Sequence, residues 1–303
     1  MPQAREKTRD GKFIAVANMK GGVGKTTIVV SLAEALAADN LNASVLVVDL
    51  DPQASASVCI AGDELLAKLI EDGRTLEAFL EDRLIRQEQS PQLGEQIRKQ
   101  ISTVTHQGQQ LGVSLLPCGP HLRIVERELL YELTNRDHSM NAIDGKIWQI
   151  FNKDFVALKS FYDFILFDCA PGISPVTEAA IRISDLVVVP TIPDYLSIYG
   201  LNAFHGSIWA QRSGGFPKPK SAPHILISRM QNTRQHKIVA EQLVSAAQKE
   251  GTNYRLVHAW VPQFAGLVDA LTHPGYLSYT QKYTSSFIDR TLQPLVTEIK
   301  GLL

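Results

Sequence analysis

The stretch that decides the fold is Lys20-Gly21-Gly22-Val23-Gly24-Lys25-Thr26-Thr27. It follows an apolar run at residues 13–17 that predicts a buried strand, and it precedes residues 28–38, whose apolar residues recur at helical spacing. A glycine-rich turn between a strand and a helix lets backbone N–H groups surround a polyphosphate. Lys25 is expected to reach the β- and γ-phosphates, and the Thr26 hydroxyl is expected to bind Mg²⁺. The sequence therefore predicts a P-loop that binds a nucleoside triphosphate.

The rest of the chain extends this unit into a single α/β domain. Continuous apolar, β-branched runs alternate with segments of helical periodicity. The predicted strands cover residues 13–17, 44–49, 113–117, 164–168, 186–190, 224–228 and 256–261. Strands that are apolar throughout are typical of a parallel sheet covered on both faces. We therefore expect the α/β architecture of a P-loop NTPase, a mostly parallel, twisted sheet with helices on both faces.

Aspartates lie at the ends of two predicted strands. Asp49 and Asp51 close the second strand, and Asp168 closes the fourth. Ligands of open parallel sheets bind beyond the carboxyl ends of the strands, where the P-loop also begins. A single aspartate there can equally start a loop or cap a helix, but three beside a P-loop favour a metal–nucleotide site. The predicted Mg²⁺ site therefore includes Thr26, Asp49, Asp51 and Asp168.

The P-loop departs from the common pattern G-x-x-x-x-G-K-[ST] in two respects. Met19 occupies the position of the first glycine, and an additional lysine, Lys20, precedes the double glycine. In both respects the loop resembles the deviant Walker A box of the ParA/MinD family of partitioning and positioning ATPases. The resemblance implies ATP and Mg²⁺ as cofactors, nucleotide contacts from all of residues 20–27, and catalytic roles for Lys20 and Lys25. It also implies that Lys20 reaches across a dimer interface to the partner's nucleotide.

Two further motifs are similar to those of the same family. Residues 46–53, Leu-Val-Val-Asp-Leu-Asp-Pro-Gln, resemble its D-x-D-P-Q motif. This implies that Asp51 is catalytic because it aligns the attacking water, and that Asp49 supports the Mg²⁺ shell and the switch geometry. Residues 165–172 resemble its Walker B motif, which implies that Asp168 holds Mg²⁺ through water. The usual D-x-P-P is Asp-Cys-Ala-Pro here, a change expected to affect loop stiffness more than chemistry.

The match is looser at the expected adenine pocket. Residues 189–195 resemble the family's V-P-T-x-P-[ED]-[YF] segment, and residues 225–230 and 260–262 fall where family members build that pocket. The resemblance implies nucleotide contacts from Arg229, Met230 and Pro262. The arginine that follows this proline in the family is Gln263 here.

Composition sets the expected domain boundaries. Residues 1–12 are polar and are interpreted as a disordered lead-in, whereas residues 13–303 are interpreted as one ParA-like ATPase domain. Within that domain, residues 62–110 are rich in Gln, Glu and Arg, and two amphipathic helices are predicted near 75–89 and 92–101. We interpret this segment as a polar surface elaboration, with partner binding as the alternative. Because about a dozen residues precede the first strand, the resemblance is closest to members without an N-terminal helix-turn-helix.

Cysteine usage favours a cytoplasmic protein, and the resemblance to the ParA/MinD family implies association with the nucleoid. The three cysteines form no C-x-x-C pair, and no apolar run approaches the ~18 residues that cross a bilayer. The net charge is −1, but residues 201–303 carry +6 and residues 1–200 carry −7. This asymmetry favours contact with a polyanion such as DNA, although a solvated basic surface is the alternative. The candidate DNA contacts are Arg229, Arg234, Lys237, Lys282, Arg290 and Lys300.

The resemblance implies an ATP-dependent sandwich homodimer that binds DNA nonspecifically. Such a dimer would position or segregate a plasmid, a chromosome or a protein assembly, with slow hydrolysis stimulated by an adaptor protein. The alternative is a MinD-like membrane-cycling ATPase, which requires a terminal amphipathic helix rich in lysine and bulky apolar residues. The basic residues of the segment 286–302 are only two, Arg290 and Lys300. The segment is predicted to pack on the core, so no stable membrane association is expected.

Overall fold

The structure, a computed structural model, describes residues 9–86, 92–135, 140–210, 217–249, 251–264 and 278–303. Its strands are β1 Lys12–Val16, β2 Val45–Leu50, β3 Thr105–His106, β4 Gln109–Gln110, β5 Val113–Leu116, β6 Phe164–Cys169, β7 Leu186–Thr191, β8 Pro223–Ile227 and β9 Arg255–Val257. Seven of them form one sheet in the order β5-β2-β6-β1-β7-β8-β9, and every neighbouring pair is parallel. This confirms the predicted parallel sheet. Strands β3 and β4 form a short antiparallel hairpin that the sequence pattern did not predict.

Helices connect the strands. They are α1 Lys25–Asp39, α2 Ser55–Ala61, α3 Asp63–Glu71, α4 Leu76–Leu80, α5 Leu93–Gln96, α6 Leu122–Asn135, α7 Met140–Ile150, α8 Pro175–Ile183, α9 Tyr195–His205, α10 Arg234–Ala247, α11 Tyr279–Tyr283, α12 Ser285–Phe287 and α13 Gln293–Leu302. Wider, π-helical turns continue four of these segments, at Glu81–Arg86, Phe151–Phe155, Gly206–Ala210 and Ile288–Leu292.

Two hydrophobic clusters, one on each face of the sheet, hold these layers together. Consecutive residues of β1 enter opposite clusters, because side chains alternate along a strand: Phe13 belongs to one cluster and Ile14 to the other. On the Phe13 side, the rings of Phe151 and Phe155 stack with their centroids 4.3 Å apart. The Ile14 side is covered by α1 and α13. The predicted single α/β fold with helices on both faces is therefore confirmed.

The segment 62–110 contributes to the core as well as to the surface. Leu76, Phe79 and Leu80 of α4 are fully buried in the Phe13-side cluster, so the interpretation as a surface elaboration is too narrow. The helix predicted near 92–101 is present only over Leu93–Gln96. Arg98 and Leu115 instead exchange two backbone hydrogen bonds at the sheet edge. Residues 87–89 of the other predicted helix lie outside the described residues.

The predicted disordered lead-in, residues 1–12, is too long. Strand β1 already begins at Lys12, and the Gly11 N–H donates to the Lys159 carbonyl at 2.9 Å. A Cβ atom at Gly11 would lie 2.2 Å from the Tyr162 carbonyl oxygen, so only glycine fits this close approach. Arg9 forms an ion pair with Asp163. Residues 9–12 are thus part of the fold, and residues 1–8 lie outside the described residues.

The C-terminal segment packs on the core, as the sequence predicted, in the same cluster as residues of α1. Leu295, Val296 and Ile299 of α13 are buried. In α11, Lys282 Nζ lies 2.8 Å from Glu34 Oε1 of α1, and this ion pair is buried. Lys282 is therefore unavailable to DNA, which corrects its place among the candidate contacts. Among the described residues, no helix combines the length and the apolar character needed to cross a membrane.

Candidate nucleotide site

The P-loop has the backbone geometry of a phosphate cradle. Gly22 and Gly24 have φ values of 72° and 90°, a left-handed conformation that favours glycine. Between them, Val23 is buried, and its carbonyl accepts a 2.8 Å hydrogen bond from Ser228 Oγ. Gly24 precedes α1 without a side-chain cap. The free N–H groups and the dipole of this helix N-terminus therefore favour an anion.

The two lysines of the loop lie in different environments. Lys25 is buried, and its Nζ donates to the Lys20 carbonyl at 3.2 Å, inside the loop. Burial lowers the pKa of Lys25, although Asp168 partly offsets this effect. The side chain of Lys20 is 40% exposed at the rim, where its Nζ lies 3.1 Å from Asp194 Oδ2 and 3.0 Å from Ser197 Oγ. Of these two lysines, only Lys25 lies inside the loop.

Asp194 is held as the cap of the helix that borders the loop. Its Oδ1 accepts the Ser197 N–H at 2.7 Å, which caps the N-terminus of α9. Partial burial works to raise the pKa of Asp194, but the Ser197 N–H and the Lys20 ammonium together hold it below its usual value. The carboxylate is therefore charged at neutral pH and pairs with Lys20.

Thr26 and Asp168 form the part of the site that suits a divalent cation. Thr26 Oγ1 donates to Asp168 Oδ2 at 2.7 Å. Asp168 is fully buried, and its Oδ1 has no hydrogen-bond partner among the described residues. Burial, followed by the nearby Asp49 charge, raises the pKa of Asp168 well above its usual value. A buried carboxylate oxygen without a donor, beside a hydroxyl group, fits a hydrated Mg²⁺ ion.

Asp49 and Asp51 occupy different positions although they are two residues apart. Asp49 is fully buried next to Asp168 in the register of β2 and β6, and its carboxylate accepts the N–H of Asp51 and both the N–H and the hydroxyl of Ser57. Burial raises its pKa to about 6. These contacts tie Asp49 to the turn that carries Asp51, and both parts of its predicted role, in the Mg²⁺ shell and in the switch geometry, stay predictions. Asp51 lines the cavity in front of the P-loop.

A cavity of about 710 Å³ opens over the P-loop. Most of the P-loop residues predicted to bind the nucleotide line it, together with Arg229 and Pro262. Several further lining residues were not predicted as site residues: Ile28, Gln53, Ser55, Cys59, Pro171, Ser228, Val261, Gln263 and Phe264. Gln53 lies in the D-x-D-P-Q motif, so that motif was the signal that could have identified it. Phe264 gave no such signal; its ring stacks on Phe287 with the centroids 5.4 Å apart.

The three residues expected at the adenine pocket lie together beside the P-loop. Met230 and Pro262 form a backbone bridge, and the Met230 N–H donates to the Val261 carbonyl at 3.1 Å. Arg229 has a φ of 50°, and its guanidinium donates to the Gly22 carbonyl at 2.6 Å. Arg229 therefore lies over the phosphate loop, and its contact with adenine stays a prediction.

Comparison with known protein families agrees with this geometry. A model of the AAA domain family matches residues 11–212, more than half of the chain. The chain belongs to this family. Curated relatives include the chromosome partitioning protein ParA of Myxococcus xanthus, 28% identical over 69% of this chain and 62% of the relative. The sporulation initiation inhibitor protein Soj of Bacillus subtilis is 28% identical over 63% of this chain and 62% of the relative. The predicted membership of the ParA/MinD family of P-loop ATPases is confirmed.

Solved structures show the same fold. A putative plasmid partition protein of Borrelia burgdorferi B31 bound to AMPPNP has a TM-score of 0.65 at 18% identity, covering 97% of this chain and all of that one. Apo McdA of Cyanothece has a TM-score of 0.67 at 15% identity, covering 96% and 98%. Cobyrinic acid a,c-diamide synthase of Mycobacterium smegmatis with ADP and magnesium has a TM-score of 0.55 at 22% identity, covering 79% and 83%. The AMPPNP in the first of these structures and the ADP and magnesium in the third agree with the predicted cofactors.

Glu77 is a buried carboxyl group behind the site. It belongs to α4, is only 4% exposed, and its Oε2 has no hydrogen-bond partner among the described residues. Burial raises its pKa to about 7, although backbone N–H groups, including that of Gly119, partly offset this effect. The folded protein therefore keeps this proton to a higher pH than the unfolded chain does.

The protonation of Glu77 predicts how stability depends on pH. Because the pKa in the folded state lies above the ordinary value of 4.5, its contribution to stability is complete below about pH 4.5 and is lost as pH rises to about 7. The loss is about 3 kcal/mol. Urea unfolding from pH 5 to 8 should show that Glu77→Gln gains stability relative to the wild type as pH rises. The exposed Glu64→Gln is the matched control, and curves for Glu77→Gln that run parallel to the wild type would contradict the prediction.

Proposed function

We propose that this protein is a Mg²⁺-dependent ATPase that forms a homodimer around ATP, binds DNA nonspecifically in that state, and positions or segregates a cargo. The observation that carries the proposal is that the ammonium groups of the two P-loop lysines lie in different places. Lys25 lies inside the loop of its own subunit, whereas the Nζ of Lys20 is at the rim and contacts Asp194 and Ser197. A second subunit docked at this rim would offer its own nucleotide to Lys20.

In each subunit, catalysis would depend mainly on neutralising the negative charge of the phosphates. Phosphoryl transfer to water depends on positioning and on stabilising charge at the phosphates. The P-loop N–H groups and Lys25 supply part of that charge. Thr26 and Asp168 would hold Mg²⁺, which neutralises phosphate charge when it is bound. Asp51, which lines the same cavity, would align the attacking water.

Lys20 would complete the site in trans, in the manner of an arginine finger. Hydrolysis would therefore be slow without a dimer, and an adaptor protein would be needed to bring Asp51 and the water into alignment. The nucleotide state would then determine how long the dimer stays bound to its target. The cargo, whether a plasmid, a chromosome or a protein assembly, would be selected by the adaptor.

The first turns of α10 carry two of the candidate DNA contacts, and Arg290 is a third exposed candidate. Arg234 and Lys237 are exposed and three residues apart, so they share one face of the helix. Lys300 pairs with Asp39 at 2.9 Å and Arg229 with the Gly22 carbonyl, which makes these two less available. Phosphate contacts by lysine and arginine need no base readout, so such a surface would associate the ATP-bound protein with the nucleoid. The names of the ParA and plasmid partition relatives also support this proposal.

The test is DNA binding by the purified protein with ATP, with ADP and without nucleotide, over a salt series. We expect sequence-independent binding with ATP only. The double variant Arg234→Ala/Lys237→Ala should weaken binding to every sequence and reduce the slope of log K against log salt by about two per subunit. The exposed Lys68→Ala/Lys153→Ala pair is the charge-matched control. Absence of DNA binding in every nucleotide state at low salt would refute the proposal.

A further inference from the structure

A closed ring of hydrogen bonds ties the backbone of Asp51 to Cys118. The Asp51 N–H donates to Asp49 Oδ1 at 3.1 Å, and Ser57 Oγ donates to Asp49 Oδ2 at 2.7 Å. The Cys118 N–H donates to Ser57 Oγ at 3.2 Å, and Cys118 Sγ donates back to the Asp51 carbonyl at 2.9 Å. We call these four residues the Asp51 ring. It is buried throughout, because Asp49, Ser57 and Cys118 have no exposed surface and Asp51 is 8% exposed.

The ring fixes the peptide from which the Asp51 side chain projects. The Asp51 carbonyl also accepts the Ala54 N–H at 2.7 Å, and Asp51 Oδ1 accepts the Gln53 N–H at 3.0 Å. The bonds from Ala54 and Gln53 lie within the same turn and would move with it. The bond from Cys118 comes from the segment that directly follows β5, and it therefore holds the turn relative to the sheet.

Cys118 is itself held in place from both sides. It follows β5, which pairs in parallel with β2. Its neighbour Pro117 accepts the Leu76 N–H at 2.8 Å, and its neighbour Gly119 donates its N–H to the Glu77 carboxylate. Cys118 is fully buried and its Sγ lies 2.9 Å from the Asp51 carbonyl, so its thiol serves as a hydrogen-bond donor and not as an accessible nucleophile.

We propose that Cys118 is a positioning residue for Asp51, and that its thiol fixes the backbone so that the Asp51 carboxylate faces the nucleotide cavity. This inference rests on the proposed role of Asp51 in hydrolysis. The thiol makes and breaks no covalent bond in the reaction. Its contribution is therefore to the rate of the chemical step and not to nucleotide affinity.

The test distinguishes the effect of the hydrogen-bond donor at residue 118 from the effect of side-chain volume. Cys118→Ala removes both, Cys118→Val keeps bulk without a donor, and Cys118→Ser keeps a donor. We expect Cys118→Ala and Cys118→Val to lower kcat for Mg-ATP about fivefold, since one hydrogen bond is lost, with KM for ATP unchanged. Cys118→Ser should restore kcat to near the wild-type value. Thermal unfolding of each variant checks that the protein is folded under the assay conditions.

Asp51→Asn, assayed alongside, distinguishes two kinds of failure. If Asp51→Asn hydrolyses ATP like the wild type, the proposed role of Asp51 fails. If Asp51→Asn is inactive but Cys118→Ala and Cys118→Val keep the wild-type kcat, the positioning role of Cys118 is refuted while the proposed function stands. A serine variant as slow as the alanine and valine variants would also refute it, because the donor would then be irrelevant.

Discussion

Lys20→Ala is expected to abolish ATP-dependent dimerisation while the monomer still binds ATP. The Lys20 ammonium lies at the rim of the P-loop, 3.1 Å from Asp194. Lys25 Nζ bonds to the backbone carbonyl of residue 20, which alanine keeps, so Lys25 should stay inside the loop. Loss of a cation supplied in trans should lower ATP turnover by on the order of 10³-fold. Sedimentation velocity with ATP, turnover assays and calorimetric titration of the nucleotide measure the three quantities separately.

Asp194→Asn is the complementary variant, because it should change ATP-dependent dimerisation in the opposite direction. Asparagine can still cap α9 through its side-chain oxygen, but it no longer pairs its charge with Lys20. The ion pair is partly exposed and is therefore worth at most about 1 kcal/mol. Its loss should strengthen ATP-dependent dimerisation by up to about fivefold. Dimerisation of Lys20→Ala with ATP at wild-type affinity would contradict the role of Lys20 in trans.

Local sequence patterns were sufficient for the parts of the site that one segment builds. A strand–turn–helix pattern predicted the P-loop glycines and Lys25. Apolar strands that end in acidic residues predicted Asp51 and Asp168. The contacts between distant segments were not predictable in this way. Ser228 bonds to Val23 across 205 residues, and Lys20 reaches Asp194 across 174. No periodicity in either segment indicates these pairs, because each follows from the order of strands in the sheet.

The Gln-rich segment shows how tertiary contacts override a local pattern. The amphipathic spacing of residues 92–101 favours a helix, but the segment lies beside the edge strand β5. The backbone pair between Arg98 and Leu115, with both N–H···O distances below 3.0 Å, satisfies the polar groups of that edge. A helix through Arg98 would leave those groups without this partner. Edge pairing of this kind depends on which strand lies at the border of the sheet, and the sequence pattern carries no signal for it.

Asp51→Asn is expected to separate ATP binding from ATP hydrolysis. The variant loses the carboxylate that would align the attacking water, so kcat should fall by roughly 10²- to 10⁴-fold. Nucleotide affinity, dimerisation and DNA binding should persist, since Lys20, Lys25 and the P-loop are unchanged. The Asp51 ring uses only the backbone N–H and carbonyl of Asp51, and the side-chain oxygen of asparagine can still accept the Gln53 N–H, so the substitution should leave the turn in place.

Asp49→Asn is the informative comparison, because Asp49 holds the turn through its side chain. Its carboxylate accepts three hydrogen bonds from Asp51 and Ser57, and an amide group would place a donor against at least one of these donors. We expect Asp49→Asn to lower the thermal unfolding temperature as well as kcat, whereas Asp51→Asn should lower kcat alone. ATP-bound Asp51→Asn should then stay on DNA longer than the wild type in a dissociation assay. Wild-type hydrolysis by Asp51→Asn would contradict the assignment, and a lowered unfolding temperature in that variant would show that the side chain also supports the turn.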